Sequence, residues 1–255
     1  MPRFIDIHAH ILPGVDDGSQ DLETSLGMAR IAARSGTTRI VCTKHTDLTE
    51  PVTEEDRDLV LEGVRVLQNV LKREDIPLQL LPGMEIMASE DIYRKLRDGL
   101  FLGLNDSRYF MIEFPFDAPP DYISFVLSEM RKMRGLVPLI AHPERYYCVQ
   151  EDPELIYGWV MDGCLTQCNR ASFEGKFGSL EAETSLRLLD ANLVACIASD
   201  AHSDIQRTPR LDIGYHEIEK QFGKWTAELL LHAHPKMIIQ NDTLEMRGTV
   251  RHICR

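Results

Sequence analysis

Long hydrophobic runs and disulfide patterns are both absent from this 255-residue sequence. No apolar run approaches the roughly 20 residues that a membrane-spanning helix needs. The opening segment MPRFIDIHAH lacks the basic and apolar stretches of a signal peptide. The six cysteines form no CxxC pair, so we expect reduced, mostly buried thiols. Together these features predict a cytoplasmic protein that is not inserted into a membrane.

Positive charge is also in short supply. Lys and Arg total 28 against 40 Asp and Glu, which gives a formal net charge of -12. Such a surface repels phosphate backbones, so nucleic acid is not an expected partner. The 44% hydrophobic and 27% charged residues, without low-complexity segments, exclude disordered, collagen-like and coiled-coil chains. We expect one globular domain over residues 1–255.

Short apolar runs typical of strands alternate with longer stretches of helical periodicity. About seven such units in a chain of this length predict an α/β fold, a parallel seven-stranded βα barrel of the TIM-barrel type. An open, doubly wound sheet is the alternative. The strand candidates are Phe4–Ile7, Arg39–Thr43, Leu78–Leu81, Tyr109–Ile112, Val137–Ala141, Leu165–Cys168 and Leu193–Ala198.

The helices between these strands carry start signals of their own. Apolar residues at positions 60, 64, 67 and 71 lie on one helical face, and Thr53 with Asp56 precedes them as a capping box. We also expect a C-terminal helical extension from about residue 213, packed on the same domain.

Side chains able to bind a metal ion follow nearly every strand candidate. In the segment Asp6-Ile7-His8-Ala9-His10, the alternation of an extended chain points both histidines to the same side, as two imidazoles on one ion require. The carboxyl ends of the strands of a parallel barrel converge on one face, where its active site lies. Nine candidate ligands are therefore expected to meet in one pocket: His8, His10, Asp17, His45, Glu85, Glu113, His142, Asp200 and His202.

Nine side chains are more than one ion can use, so the sequence implies two or three divalent ions. Asp16 also follows the first strand, but only Asp17 is counted as a ligand. Imidazole and carboxylate donors without thiolate allow Mn, Zn, Fe or Co and do not select one of them. The remaining histidines are assigned no function: His216, His232, His234 and His252.

Two arginines indicate the class of reaction. Arg145 follows His142 in the segment HPER, and Arg207 follows His202, so both could overhang the metal cluster. A guanidinium offers paired donors to phosphate oxygens, which suits a phosphomonoester, whereas the alternative for each arginine is a salt bridge to an acid. We expect hydrolysis by metal-activated hydroxide, with four candidate catalytic residues: Arg145, Arg207, Asp200 and His202.

The sequence resembles the PHP (polymerase and histidinol phosphatase) superfamily, and most of all its bacterial protein-tyrosine phosphatase branch of capsule and exopolysaccharide synthesis. The resemblance rests on residues 6–18 (DIHAHILPGVDDG), 83–86 (GMEI), 112–115 (IEFP), 141–145 (AHPER), 169–178 and 199–202 (SDAH). It implies the distorted seven-stranded barrel of the PHP fold and a trinuclear, usually manganese-dependent site. It also implies a phosphotyrosine substrate on a partner tyrosine autokinase, with the nine residues as metal ligands and Arg145 and Arg207 as phosphate binders.

Two departures from this branch concern the rim of the substrate site. The second strand usually ends in a Pro-His-like step where this chain has Lys44 before His45, and the Glu85 segment often carries an arginine where this chain has Met87. We expect Lys44 to lie in solvent rather than to add charge toward phosphate.

Three alternatives stay open at this point. Cys164 and Arg170 satisfy the C-x5-R spacing of thiol phosphatases, but the segment lacks the glycines of a phosphate loop and is predicted to be a strand, so we interpret the spacing as coincidence. A histidinol phosphatase would use similar ligands on an alkyl phosphate. A non-catalytic metal-binding scaffold would keep the ligands without turnover.

Overall fold

Strands and helices alternate along the chain in the computed structural model, which describes residues 3–46 and 52–253. Within these residues, seven strands form one sheet in which each strand pairs in parallel with its neighbours in sequence. The strands are β1 (Phe4–Ala9), β2 (Thr37–His45), β3 (Gln79–Met87), β4 (Tyr109–Glu113), β5 (Val137–Ala141), β6 (Leu165–Asn169) and β7 (Cys196–Ala198).

The two edges of the sheet, β1 and the segment after β7, lie against each other. Ala9 bridges Ala201 in parallel. The amide of Asp200 donates to the carbonyl of His8 at 2.9 Å, and the amide of His10 donates to the carbonyl of Ala201 at 2.8 Å. The strands therefore form a nearly closed, distorted barrel, which confirms the predicted seven-stranded α/β fold. The open doubly wound sheet is wrong, because strand order never reverses and the edges meet.

Helices follow the strands and cover the barrel. The helix α2 shows why its residues are helical: the carboxylate of Asp56 accepts from the amide of Thr53 at 3.0 Å, and Val60, Leu67 and Leu71 are buried on one face. The helices are α1 (Leu22–Arg34), α2 (Glu54–Arg73), α3 (Ile92–Arg97), α4 (Pro120–Arg131), α5 (Tyr147–Glu151), α6 (Glu154–Met161), α7 (Arg170–Phe173), α8 (Ser179–Asp190), α9 (Leu211–Phe222), α10 (Lys224–Glu228) and α11 (His234–Ile239).

The predicted bounds of the last strand are wrong. The strand β7 begins at Cys196 and not at Leu193. Asn192 turns the chain at a φ of 58°, and the amide of Leu193 still donates to the carbonyl of Leu188 at 2.9 Å. These hydrogen bonds terminate α8. The apolar run that begins at Leu193 therefore belongs first to the end of this helix and only from Cys196 to the strand.

The C-terminal helices pack back onto the barrel. They begin with α9 at Leu211, close to the predicted position, and Leu231 and Ile238 are buried in the core that the strands share. The Nδ1 atom of His234 lies 2.7 Å from the carbonyl of Ala195, just before β7. Among the described helices, none is both long and apolar enough to span a membrane.

Candidate metal centre

Glu85 lies at the centre of a cluster of histidines at the carboxyl ends of the strands. Its Oε2 atom lies 2.9 Å from Nε2 of His8, 3.2 Å from Nε2 of His10 and 3.2 Å from Nδ1 of His45. Its Oε1 atom lies 3.0 Å from Nε2 of His142. Glu85 is fully buried, so one carboxylate is shared by imidazoles from the ends of β1, β2 and β5.

Three further carboxylates surround this centre. Glu113 lies 3.4 Å from His45 and 3.4 Å from His142. Asp17 lies 3.5 Å from Nε2 of His45 and 3.5 Å from Nε2 of His202 on the solvent side. Asp200 lies 3.5 Å from His8, from His10 and from His202. The structure thus brings together the nine side chains that the sequence singled out, which we call the carboxylate–imidazole cluster.

The donor atoms of this cluster form overlapping groups of the size that a metal ion uses. In each group, the donor atoms lie within 4.8 Å of one another. His10, His45 and Glu85 each belong to two groups, which suits ions that share ligands. The groups are His8, His10 and Glu85; His45, Glu85 and Glu113; and His10, Asp17, His45 and His202.

The electrostatics of the cluster favour a cation. Burial disfavours the charged forms, but the histidines hold the pKa values of Glu85 and Asp200 well below the usual range. Despite burial, the charges of Glu85 and Asp200 raise the pKa of His8 to about 9. The carboxylates are therefore ionised at neutral pH, and bound metal would replace imidazole protons as their counter-charge.

Two histidines are held with one ring nitrogen turned toward the cluster. Nδ1 of His10 lies 2.9 Å from the carboxylate of Asp16, and Nδ1 of His202 lies 3.0 Å from the carbonyl of Asp200. Both partners accept hydrogen bonds, so each Nδ1 carries the proton and each Nε2 faces the cluster. Burial and the charge of His10 lower the pKa of His202 to about 4, which keeps this imidazole neutral.

Asp16, which follows the first strand but was not counted among the candidate ligands, contacts the cluster through His10. Burial opposes its charge, but the hydrogen bond with His10 lowers its pKa to about 2. Asp16 also accepts from the amide of His45 at 3.2 Å, so it orients His10 and fixes the end of β2. The only signal in the sequence was the pair of adjacent aspartates, which does not say which one faces outward.

The residues present fit divalent ions. Within residues 3–46 and 52–253, the buried Oε2 atom of Glu113 has no hydrogen-bond partner, although it lies 3.4 Å from Nδ1 of His45. A buried carboxylate oxygen without a partner is unfavourable, and a cation would satisfy it. The nitrogen and oxygen donors suit manganese, iron, zinc and cobalt alike and do not select one of them.

Both arginines lie at one edge of the cluster, beside Asp200. Arg207 contacts the carboxylate of Asp200 at 2.5 Å, and the backbone carbonyl of Arg207 accepts from the amide of His202 at 2.9 Å.

The guanidinium of Arg145 lies 3.8 Å from Asp200 and packs against two rings, 4.3 Å from the centroid of Phe116 and 4.6 Å from that of Phe177. The rings hold the guanidinium in place at the mouth of the cluster. Neither phenylalanine was predicted from the sequence, because nothing local in their segments marks them.

We predict that Arg145 donates a charge-assisted hydrogen bond to the phosphate of a substrate, so Arg145→Ala should reduce kcat/KM for an aryl phosphate by about 10- to 100-fold. The metal content should stay unchanged, since Arg145 is no ligand in the cluster. Arg65→Ala is the matched control, because Arg65 pairs with Glu62 on the exposed face of α2. An unchanged kcat/KM in the Arg145 variant would reduce this residue to a salt-bridge partner of Asp200.

Lys44 does not lie in solvent, so that expectation is wrong. Its side chain is 11% exposed, and its ammonium donates to the carboxylate of Asp56 at 3.1 Å and to the carbonyl of His45 at 3.0 Å. Asp56 also accepts from Thr53 at the start of α2. Lys44 therefore joins the end of β2 to the helix that follows it.

The C-x5-R spacing at Cys164 does not form a phosphate loop. Cys164 is buried ahead of β6, and burial raises its pKa to about 12, so the thiolate is scarce at neutral pH. The guanidinium of Arg170 instead bonds Glu174 and donates to the carbonyl of Thr208 at 3.0 Å. These contacts support the interpretation of the spacing as coincidence.

The barrel and its cluster define the class of protein: a βα barrel whose strand ends carry histidine and carboxylate side chains suited to holding metal. The chain belongs to the CpsB/CapC family of capsular polysaccharide synthesis, whose model matches residues 4–240. This match confirms the resemblance to the capsule-associated branch. It covers the motifs from the first strand to the last.

Named relatives and a solved structure agree with this family. The chain is 38% identical over 241 residues to the tyrosine-protein phosphatase YwqE of Bacillus subtilis, covering 94% of this chain and 93% of that protein. It is 30% identical to the tyrosine-protein phosphatase CpsB of Streptococcus agalactiae serotype V, covering 93% and 99%. A solved structure also matches, with a TM-score of 0.89 and 36% identity, covering 98% of this chain and all of that one. It comes from a study of YwqE of B. subtilis and CpsB of Streptococcus pneumoniae, which are described there as unique metal-dependent tyrosine phosphatases.

Proposed function

We propose that this protein is a metal-dependent protein-tyrosine phosphatase of capsule or exopolysaccharide synthesis. The observation that carries the proposal is the buried carboxylate of Glu85 shared by four imidazoles, with Arg145 and Arg207 at one edge of the same cluster. Membership of the CpsB/CapC family, whose relatives in Bacillus and Streptococcus are named tyrosine-protein phosphatases, supports it.

In this proposal the nine side chains of the cluster hold two or three divalent ions, manganese first and iron, zinc or cobalt as alternatives. Ions bound there would lower the pKa of water and neutralise charge on the phosphoryl oxygens. Glu85 would be a central ligand for these ions, because its two oxygens face different imidazoles. His202, kept neutral by burial and by His10, would offer Nε2 as a ligand on the solvent side.

The arginines would bind the phosphoryl group. Arg207 and Arg145 both contact Asp200, so their guanidinium groups converge on one point at the edge of the cluster. Two guanidinium groups there would hold the non-bridging oxygens of a monoester and stabilise the charge that develops on them. The rings of Phe116 and Phe177 lie against the guanidinium of Arg145 and restrict its movement toward solvent.

The leaving group also favours phosphotyrosine. A tyrosine phenol has a pKa of about 10, so its oxygen needs less help from a general acid than an alkoxide does. The phosphotyrosine would lie on a partner protein. We propose that this partner is a bacterial tyrosine kinase and that the two proteins meet in the cytoplasm.

The proposal predicts a clear order of substrates. A phosphotyrosine peptide should be hydrolysed with a kcat/KM at least about 100-fold above that of a phosphoserine peptide or histidinol phosphate, which corresponds to about 3 kcal/mol in the transition state. The measurement is steady-state kinetics on the three substrates with the same metal-loaded preparation. Parallel assays of a Glu85→Ala preparation subtract any contaminating phosphatase. A preference for histidinol phosphate would make the protein a histidinol phosphatase, and no turnover of any of the three by metal-loaded protein would leave a binding scaffold.

A further inference from the structure

Two fully buried polar side chains of β6 connect opposite sides of the carboxylate–imidazole cluster. Nδ1 of His8 lies 2.8 Å from Oε1 of Gln167, and Nε2 of Gln167 donates to Oδ1 of Asn169 at 2.9 Å. Nδ2 of Asn169 in turn donates to Oδ2 of Asp200 at 2.6 Å. β6 provides none of the nine candidate ligands, yet it links the ligand of β1 to the ligand that follows β7.

The ionised carboxylate of Asp200 determines which atom donates in each of these hydrogen bonds. The carboxylate of Asp200 is ionised beside Arg207 and only accepts, so Asn169 must turn its amide nitrogen toward it. The carbonyl oxygen of Asn169 then faces Gln167, which must donate through its own amide nitrogen. The carbonyl oxygen of Gln167 is thereby left for His8, and it can bond Nδ1 only if that atom carries a proton.

We propose that Gln167 and Asn169 are positioning residues that hold His8 as a metal ligand. They fix its proton on Nδ1, so that Nε2 faces Glu85 and the centre of the cluster as the coordinating atom. The inference rests on the metal site of the proposed function. It adds that two amides outside the nine candidate ligands determine which ring nitrogen of His8 carries the proton.

The backbone around β6 makes these amides rigid. The residue Gln167 pairs with Ala141 of β5 on one side and with Cys196 of β7 on the other. The amide of Asn169 donates to the buried carboxylate of Glu144 at 2.9 Å, which fixes the position of the asparagine. Neither side chain is exposed, so both are shielded from competition by bulk solvent for their hydrogen bonds.

The test measures metal binding without any assay of turnover. In Q167M, which keeps the length of the side chain and removes both hydrogen bonds, the dissociation constant for zinc or manganese should rise about 10- to 100-fold. The matched control is Q68M, because Gln68 donates to Leu78 at 2.9 Å and accepts from Leu80 at 2.7 Å, outside the cluster. Thermal unfolding of both metal-free variants separates a loss of stability from a loss of affinity.

Nitrogen-15 NMR of the zinc-loaded protein provides a second readout. In the wild type, His8 should show a slowly exchanging proton on Nδ1, assigned by its loss in His8→Asn. Q167E should keep this proton, because a carboxylate still accepts from His8, whereas in Q167M the proton should exchange faster with water. Zinc bound through Nδ1 of His8, or Q167M affinity within about twofold of Q68M, would overturn the inference.

The two proposals fail in different ways. A wild-type protein that binds zinc as expected but does not hydrolyse phosphotyrosine peptide would overturn the proposed function and leave the role of the two amides standing. A Q167M protein with unchanged metal affinity and full phosphatase activity would do the reverse. A wild-type protein that binds neither zinc nor manganese would overturn both.

Discussion

Glu85→Ala is expected to abolish phosphotyrosine hydrolysis, with a loss of about 1000-fold or more in kcat. Among the carboxylates of residues 3–46 and 52–253, Glu85 alone lies within 3.2 Å of His8, His10 and His45 and also 3.0 Å from His142. Its removal would leave four imidazoles facing one another without the one buried carboxylate that all four contact. His8→Ala should cause a loss of the same order, because it removes a ligand from the same group.

The controls separate loss of the site from loss of the fold. Glu85→Gln keeps the shape of the side chain and removes only its charge, and it should be nearly as inactive as the alanine variant. Glu62→Ala removes a carboxylate from the exposed face of α2 and should keep full activity. Circular dichroism and metal content are measured on each variant. Near wild-type rates in both Glu85 variants, with the barrel folded, would remove Glu85 from the site.

Stripping the ions with a chelator is expected to abolish turnover completely, whereas alkylation of thiols is expected to leave it intact. The donors of the cluster are nitrogen and oxygen atoms, and no cysteine belongs to it. Phosphate monoesters are very slow to hydrolyse without catalysis, so a site that depends on its ions keeps no measurable rate once they are gone. Activity is measured after chelation and after treatment with iodoacetamide.

The burial of the cysteines is the reason that alkylation should not affect turnover. Burial raises the pKa of Cys164 to about 12 and that of Cys168 well above the usual range, so both thiols stay protonated and out of reach. Cys164→Ser should therefore retain wild-type turnover. Full inactivation by the alkylating agent, with protection by added phosphate, would point instead to a thiol mechanism.

The fold could be predicted from the sequence because the signals for strands and helices are local and repeated along the chain. Runs of apolar residues of strand length alternate with helical periodicity, and that order alone predicts parallel strands. The clustering of the nine candidate ligands could be predicted for the same reason: in a parallel barrel, a residue at the carboxyl end of any strand reaches the same face. Residues as distant along the chain as His8 and His202 could therefore be assigned to one pocket on the strength of their positions at strand ends.

The residues that support the ligands could not be predicted in this way. Gln167 and Asn169 become important only because β6 lies between β5 and β7, where their amides connect His8 with Asp200. Phe177 matters because the loop before α8 brings its ring onto Arg145. Such roles depend on neighbours that are remote in sequence, and no spacing or periodicity reports them.

The measurement that tests the central claim most directly is a metal titration of the stripped protein with phosphotyrosine peptide as substrate. Bound ions per chain and the rate of hydrolysis are recorded together while manganese is added, and then iron, zinc and cobalt in separate titrations. We predict no hydrolysis by the metal-free protein and a rate that rises with occupancy until two or three ions are bound per chain. Full turnover by protein that holds no metal would contradict the account.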